Sequence, residues 1–249
     1  MQPTEALAQH ADKKLNGLEL YFELALHEAW ELPLDNDDLS EPQLKVFTDK
    51  AEQPYTMLFS SPKIVEQFKD KAEKNQQYRY KLTAEGHALF QALPDELAYV
   101  LLNPGTAHAH KVPNNTFELL KEAGQVAELD ASIAALAAGE GHVNDHLRTI
   151  RDFEHYLLVM SQSGHPAIAP DDQNRTMMAV FTYQQALDMY KEWTAEAGHD
   201  ADFIVKVVSG QTLFKAVTKI KVDGIVLNCF GPVGKRTFVP KIFELINDL

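Results

Sequence analysis

His142 and His146 lie four residues apart, the spacing with which one helical face grips a zinc ion. The hydrolytic form of that motif also needs glutamate directly after the first histidine to act as base, and Val143 stands there. Gly139 and Gly141 just upstream weaken a helix, and closed zinc sites usually take four ligands. The segment therefore reads as a polar connector with exposed histidines. His108-Ala109-His110 would turn both imidazoles to one face of a strand. No cysteine or third histidine is near in sequence, so these two read as a solvated hairpin face that binds no structural metal.

Four other groups invite a chemical reading. Gly231-Pro232-Val233-Gly234-Lys235 approaches a phosphate-binding loop, which needs glycine six residues before the lysine and Ser or Thr directly after it. Cys229 and Arg236 hold those places, and Pro232 removes a backbone N–H from the cradle. A turn between strands is the reading. Asp35-Asn36-Asp37-Asp38-Leu39-Ser40-Glu41 is dense in carboxylates, but a calcium loop wants an oxygen ligand at Leu39 and glycine at Ser40. It reads as a hydrated acidic loop. Ser161-Gln162-Ser163-Gly164-His165 lacks the first glycine of a nucleophile elbow and ends in histidine where the last should be. Cys229 closes an apolar strand with no basic residue beside it in sequence, as a small buried side chain would. No catalytic, cofactor-binding or metal-ligating residue is assigned, and the expectation is a chain without cofactor that is not an enzyme.

The elements that would position any site come from the whole chain. Its 249 residues, 45% apolar and 9% aromatic, suffice for one large core or two cores of about 100 residues each. A net charge of −13 disfavours nucleic acid and anionic membrane surfaces, because both need lysine and arginine to neutralise phosphate. The first ten residues lack a basic start and an apolar run, no uncharged apolar run approaches a membrane span, and the single Cys229 can form no intrachain disulfide. A cytoplasmic protein is expected.

Self-similarity organises the chain. Val46-Phe47-Thr48 recurs as Val180-Phe181-Thr182, and Gly86-His87-Ala88-Leu89-Phe90-Gln91-Ala92-Leu93 as Gly210-Gln211-Thr212-Leu213-Phe214-Lys215-Ala216-Val217. Leu102-Asn103 recurs as Leu227-Asn228, and Val112-Pro113 with Phe117 to Leu120 as Val239-Pro240 with Phe243 to Ile246. The spacing drifts from 134 to 124 and back to about 126, as loop insertions and deletions would produce. The periodicity predicts a helix from Leu18 to Glu31 that Pro33 ends, strands at 44–48 and 55–59, and a helix opened by Ser61-Pro62. It then predicts a strand at 78–82, a helix capped by Thr83, strands at 97–102 and 108–112, and a helix from Pro113. In the second copy the predicted strands are 176–181, 203–208, 224–229 and 236–239, with helices after Thr182, Ser209 and Pro240. On the Leu-Phe helices one of the two neighbours should be deeply buried and the other at the sheet margin, above Val46, Phe47, Val180 and Phe181.

Val207-Val208-Ser209-Gly210-Gln211-Thr212-Leu213-Phe214, Leu227-Asn228, the Gly-Pro-Val-Gly-Lys turn and Thr237-Phe238-Val239-Pro240 resemble the N-terminal domain of the SseB, or enhanced serine sensitivity protein, family. The first copy resembles it through Val46-Phe47-Thr48, Leu101-Leu102-Asn103-Pro104-Gly105 and Val112-Pro113. The resemblance implies a fold and carries no catalytic residue. The usual family arrangement follows this domain with a different one, whereas here a second copy follows the first.

The expectation is an α/β (α+β) protein built of two tandem copies of a small mixed-sheet module with packing helices: module 1 over 1–122, a helical connector over 123–149, and module 2 over 150–249. Its expected role is that of a non-catalytic protein-binding or adaptor protein whose partner is another protein, the acidic balance favouring a basic patch. The alternative is an enzyme or small-ligand binder with its site in the cleft between the copies.

Overall fold

The computed structural model describes residues 1–38, 40–70, 72, 76–169, 175–199 and 202–249. The chain divides into two units, Met1–Ala127 and Glu128–Leu249. The first runs α1 (Pro3–Ala11), α2 (Gly17–Ala25), β1 (Trp30–Leu34), β2 (Phe47–Thr48), β3 (Pro54–Leu58), α3 (Pro62–Lys69), β4 (Tyr80–Ala84), α4 (Gly86–Gln91), β5 (Tyr99–Leu102), β6 (His110–Pro113) and the start of α5 (Phe117–Ala138). Asn16 opens α2 with a capping box: its side chain accepts from the Glu19 N–H at 2.9 Å, and the Glu19 carboxylate accepts from the Asn16 N–H at 2.7 Å. Ser61 accepts from the Ile64 N–H and Pro62 fixes the first turn of α3, as the sequence predicts. β2, β3, β5 and β6 form one sheet in that order, with β3 and β5 parallel. β1 and β4 form an antiparallel pair joined to β3 by one bridge, Glu31 to Phe59.

The second unit runs from the end of α5 through α6 (Val143–Asp152), β7 (Tyr156–Ser161), β8 (Ile168–Ala169), β9 (Met177–Phe181), α7 (Gln184–Glu196), β10 (Phe203–Val208), α8 (Gly210–Val217), β11 (Gly224–Leu227), β12 (Arg236–Phe238) and α9 (Pro240–Asn247). Its strands make one mixed sheet, β10-β7-β9-β11-β12, with β8 pairing on β9. Residues along a strand alternate between faces. Met178 and Val180 of β9 accordingly join Leu147, Ile150, Leu213, Phe214, Phe243 and Ile246 from α6, α8 and α9. Phe181 meets Tyr190 of α7 at 5.2 Å on the other face. With helices on both sides, β9 is buried along its whole length.

The two units repeat one plan. In each, a helix leads to a strand, a short strand, a central strand, a helix, an edge strand, a short helix, a parallel neighbour of the central strand, a returning strand and a closing helix. Trp30 Nε1–H donates to the Leu24 carbonyl at 3.0 Å, and the Tyr156 hydroxyl donates to the Ile150 carbonyl at 2.9 Å, each reaching six residues back. Asn103 and Asn228 both take left-handed backbone, with φ of 47° and 49°. Their side-chain carbonyls accept from the N–H groups of Ser60 and Thr182.

That plan corrects several expectations. α2 stops at Ala25, and Pro33 lies inside β1, its carbonyl accepting from the Lys45 N–H at 2.9 Å. Pro33 is tolerated because its missing N–H falls on the side away from the β4 ladder. Phe181 answers to Phe59 and not to Phe47, since each forms the antiparallel bridge to its unit's first strand and precedes the residue bound by the asparagine. Val46 is exposed beside β2 and underlies no helix. β4 extends to Ala84, so Thr83 is a strand residue and α4 starts behind Glu85. Leu89, Phe90, Leu213 and Phe214 are all buried. α8 packs on α6 and α9 as well as on the sheet, so two of its faces are covered.

Residues 123–149 include most of α5 and the first part of α6, broken by Gly139 and Gly141 at positive φ. They are part of a core: Leu129, Ile133 and Leu147 are buried in the second unit, and Arg236 grips the Asp130 carboxylate with two contacts of 2.6 and 2.7 Å.

Candidate functional site

The residues singled out for chemistry are mostly engaged in holding turns. His142 stands at the N-cap position of α6 without a side-chain capping bond, the helix forms despite the two glycines, and His146 Nε2 lies 3.1 Å from the Glu140 carbonyl. His108 sits in the turn before β6 and only His110 is on the strand, so the two do not share a strand face. The His110 ring stands edge-on to His10 at 5.6 Å, and burial, aided by His10, holds its pKa below the ordinary value. Among the described residues no group of three or more His, Cys, Asp or Glu is placed to hold a metal ion.

In the acidic loop three of the side chains are engaged by neighbours. Asn36 accepts from the Gln43 N–H, Asp38 accepts from the Ser40 N–H and hydroxyl, and Asp35 pairs with Lys45. Leu39, where a calcium ligand would stand, lies outside the described residues. Ser161 Oγ is 2.9 Å from Ser163 Oγ and accepts from the His165 N–H in a tight turn with Gly164 at φ 82°. The Gly231 to Lys235 turn is pinned by Tyr183, whose hydroxyl donates to the Val233 carbonyl at 2.9 Å and accepts from the Val233 N–H at 3.2 Å. Cys229 is buried, and burial pushes its thiol up to about 11. Because the thiolate is the reactive form, Cys229 is expected to resist a disulfide reagent at neutral pH and to titrate fully in denaturant. Rapid stoichiometric labelling of the folded chain would contradict this burial.

What stands out lies on the second sheet's edge. Among the described residues β10 is the outermost strand, and its burial pattern is open on both faces: Ile204, Val205 and Val207 are 37%, 36% and 61% exposed. The backbone register fixes which groups face outward. The Val159 carbonyl accepts from the Ala167 N–H and the Ser161 N–H donates to the His165 carbonyl, so these β7 residues bond toward the β8 hairpin. Bonding alternates along an antiparallel strand, leaving Leu158 and Met160 to bond β10. Their partners are Lys206 and Ile204. Phe203, Val205 and Val207 therefore present their N–H and C=O groups away from the sheet.

The corresponding edge of the first unit is blunted. β4 alternates between half-buried and exposed residues, and its Lys81 pairs at 2.7 Å with the buried Glu31 carboxylate, which also accepts from the Thr83 hydroxyl. A charged lysine on an edge strand deters pairing. β10 carries one lysine too, Lys206, but its other five residues are all apolar and it lacks an ion pair like that of Lys81 among the described residues.

A cleft of about 390 Å³ opens where β10 begins, lined by Ser161, His165, Ile168, Tyr190, Trp193, His199 and Phe203 among others. Tyr190 is fixed by donating to the Ile168 carbonyl at 3.0 Å, and Trp193 stacks on Phe230 at 4.8 Å. Its aromatic walls, Tyr190, Trp193 and Phe203, suit a bulky apolar side chain. A smaller cleft lies between α3 and the approach to β4, lined by Phe68, Lys69, Gln76, Gln77 and Tyr78.

The sequence predicts β10 as a strand but neither its edge position nor the cleft. β7, the strand that makes β10 an edge, is absent from the sequence reading. The signal available is the run Phe203-Ile204-Val205-Lys206-Val207-Val208, β-branched and free of proline.

No family model and no curated protein sequence matches the chain. Among solved structures, Anabaena Tic22, titled as a protein of protein transport, is similar over 94% of this chain and 98% of that one, at 11% identity and a TM-score of 0.22, too low to establish a shared fold. Among the described residues no helix is long and apolar enough to cross a membrane.

Proposed function

We propose that the chain is a non-catalytic protein-binding or adaptor protein of the SseB-like type, acting in the cytoplasm, and that the second unit carries its binding surface. The observation that supports this reading most is β10: an edge strand with outward backbone groups and exposed apolar side chains is a template for another chain. His146, Ser161 and Ser163, which could have served chemistry, are instead bonded within turns. A lone buried cysteine and the acidic balance agree with a reducing compartment and a basic protein partner.

The test is affinity capture with the full chain as bait, followed by titration of the purified captured protein. A saturable complex with one protein, formed without turnover of either, is the expected result. Depletion of a small molecule from a cell extract by the purified chain, with no protein bound saturably, would reject the adaptor reading in favour of the enzyme or ligand-binder alternative.

A further inference from the structure

We infer that β10 receives an extended segment of a partner protein as an added strand, the segment placing one bulky apolar side chain in the aromatic cleft and carrying lysine or arginine beside it. This rests on the protein-binding reading and specifies its mode and its ligand.

Strand addition draws affinity from main-chain hydrogen bonds and specificity from pockets for particular side chains. Both parts are present on one strand. Phe203, Val205 and Val207 offer the outward N–H and C=O groups, and Phe203 is itself a wall of the cleft formed with Tyr190 and Trp193. A chain laid against β10 therefore passes the cleft mouth at Phe203.

Charge selects the occupant. The chain carries a net −13, and α7 bears exposed Asp188, Glu192 and Glu196 on the helix that supplies Trp193. A second copy would bring the same negative charge, whereas a basic segment is attracted. Lys206 also opposes self-pairing in any register that sets it against its own counterpart.

The experiment pans a random peptide display library on the intact chain, then titrates the selected synthetic peptides by fluorescence polarisation. Selected peptides should share an aromatic or large aliphatic residue next to Lys or Arg. Binding should weaken by about tenfold or more in Val205→Pro, which removes an outward N–H and no bond to β7, and in Trp193→Ala. Amide exchange read by NMR should slow on binding at residues 203, 205 and 207, while 204, 206 and 208 are protected in the free chain as well. Peptides that bind Val205→Pro as tightly as the parent, or that leave those three amides unprotected, would overturn strand addition; the captured protein complex of the preceding test would then persist in Val205→Pro, keeping the adaptor reading alive. Loss of fold in Val205→Pro is controlled by Val207→Ser, which keeps the backbone donor and the charge and should weaken binding through the apolar surface alone. A concentration-dependent dimer abolished by Val207→Lys would replace the peptide with a second copy and overturn the choice of occupant.

Discussion

Phe214→Ala is expected to lower the stability of the second unit by about 3–5 kcal/mol, the range for removing a fully buried phenylalanine. The ring is inaccessible and touches three others, Tyr156 at 6.0 Å, Phe238 at 5.8 Å and Phe243 at 5.8 Å. Those partners belong to β7, β12 and α9, so the cavity would lie where α8 meets the sheet and the closing helix. They cannot all move in to fill it, because the Tyr156 hydroxyl is tied to the Ile150 carbonyl and Phe238 sits on a paired strand. A loss of this size is a large part of a typical domain's stability. It should appear in the intact chain as faster amide exchange in β7 and β11. Lys235→Ala, in the turn after β11, is expected to stay within about 0.5 kcal/mol of the parent. If the two variants were equally stable, α8 would not be the keystone of the second core.

Most of the fold is legible in residues that act locally. Ser61-Pro62 and Ser209-Gly210 announce helices because caps and first-turn residues are chosen by their own backbone bonds. Asn103 and Asn228 mark strand ends because few residues other than glycine accept φ near 50°. β1 and β7 are less legible, although they occupy the same place in each unit. Trp30-Glu31-Leu32-Pro33-Leu34 contains a residue that rarely sits in strands, and what permits it is the direction of one missing N–H, which only the neighbouring strands determine. With β1 unseen, the sequence match sets Val46-Phe47-Thr48 against the wrong strand. The candidate site is illegible for the same reason. Edge position is a property of strand order, and the cleft joins Ser161, Ile168, Trp193 and Phe203 from four separate elements or turns. No spacing along the chain encodes that meeting.

Gly86→Ala and Gly210→Ala are expected to destabilise their units by about 1–3 kcal/mol or more, although alanine in a helix normally gains about 1 kcal/mol over glycine. A Cβ at Gly86 would stand 2.5 Å from the Leu24 carbonyl and 2.9 Å from that of Ala25; at Gly210 it would stand 2.5 Å from the carbonyls of both Ile150 and Arg151. These oxygens end α2 and α6, and neither can easily retreat. Trp30 Nε1–H holds the Leu24 carbonyl and the Tyr156 hydroxyl holds that of Ile150. The glycines themselves are tied in by N–H bonds of 2.8 Å to the His27 and Phe153 carbonyls. Accommodating one methyl group would therefore require the short helix to lift, breaking that bond and loosening Phe90 or Phe214 beneath it. Gly17→Ala supplies the control, since Gly17 also begins a helix but a methyl group added there would meet nothing within 4 Å. Urea titration of the intact chain should show lower midpoints for the two buried glycines and an unchanged or higher one for Gly17→Ala. Were all three substitutions to raise the midpoint alike, the helix-to-carbonyl contact that the two units share would not exist in solution, and the strongest mark of their common plan would be lost.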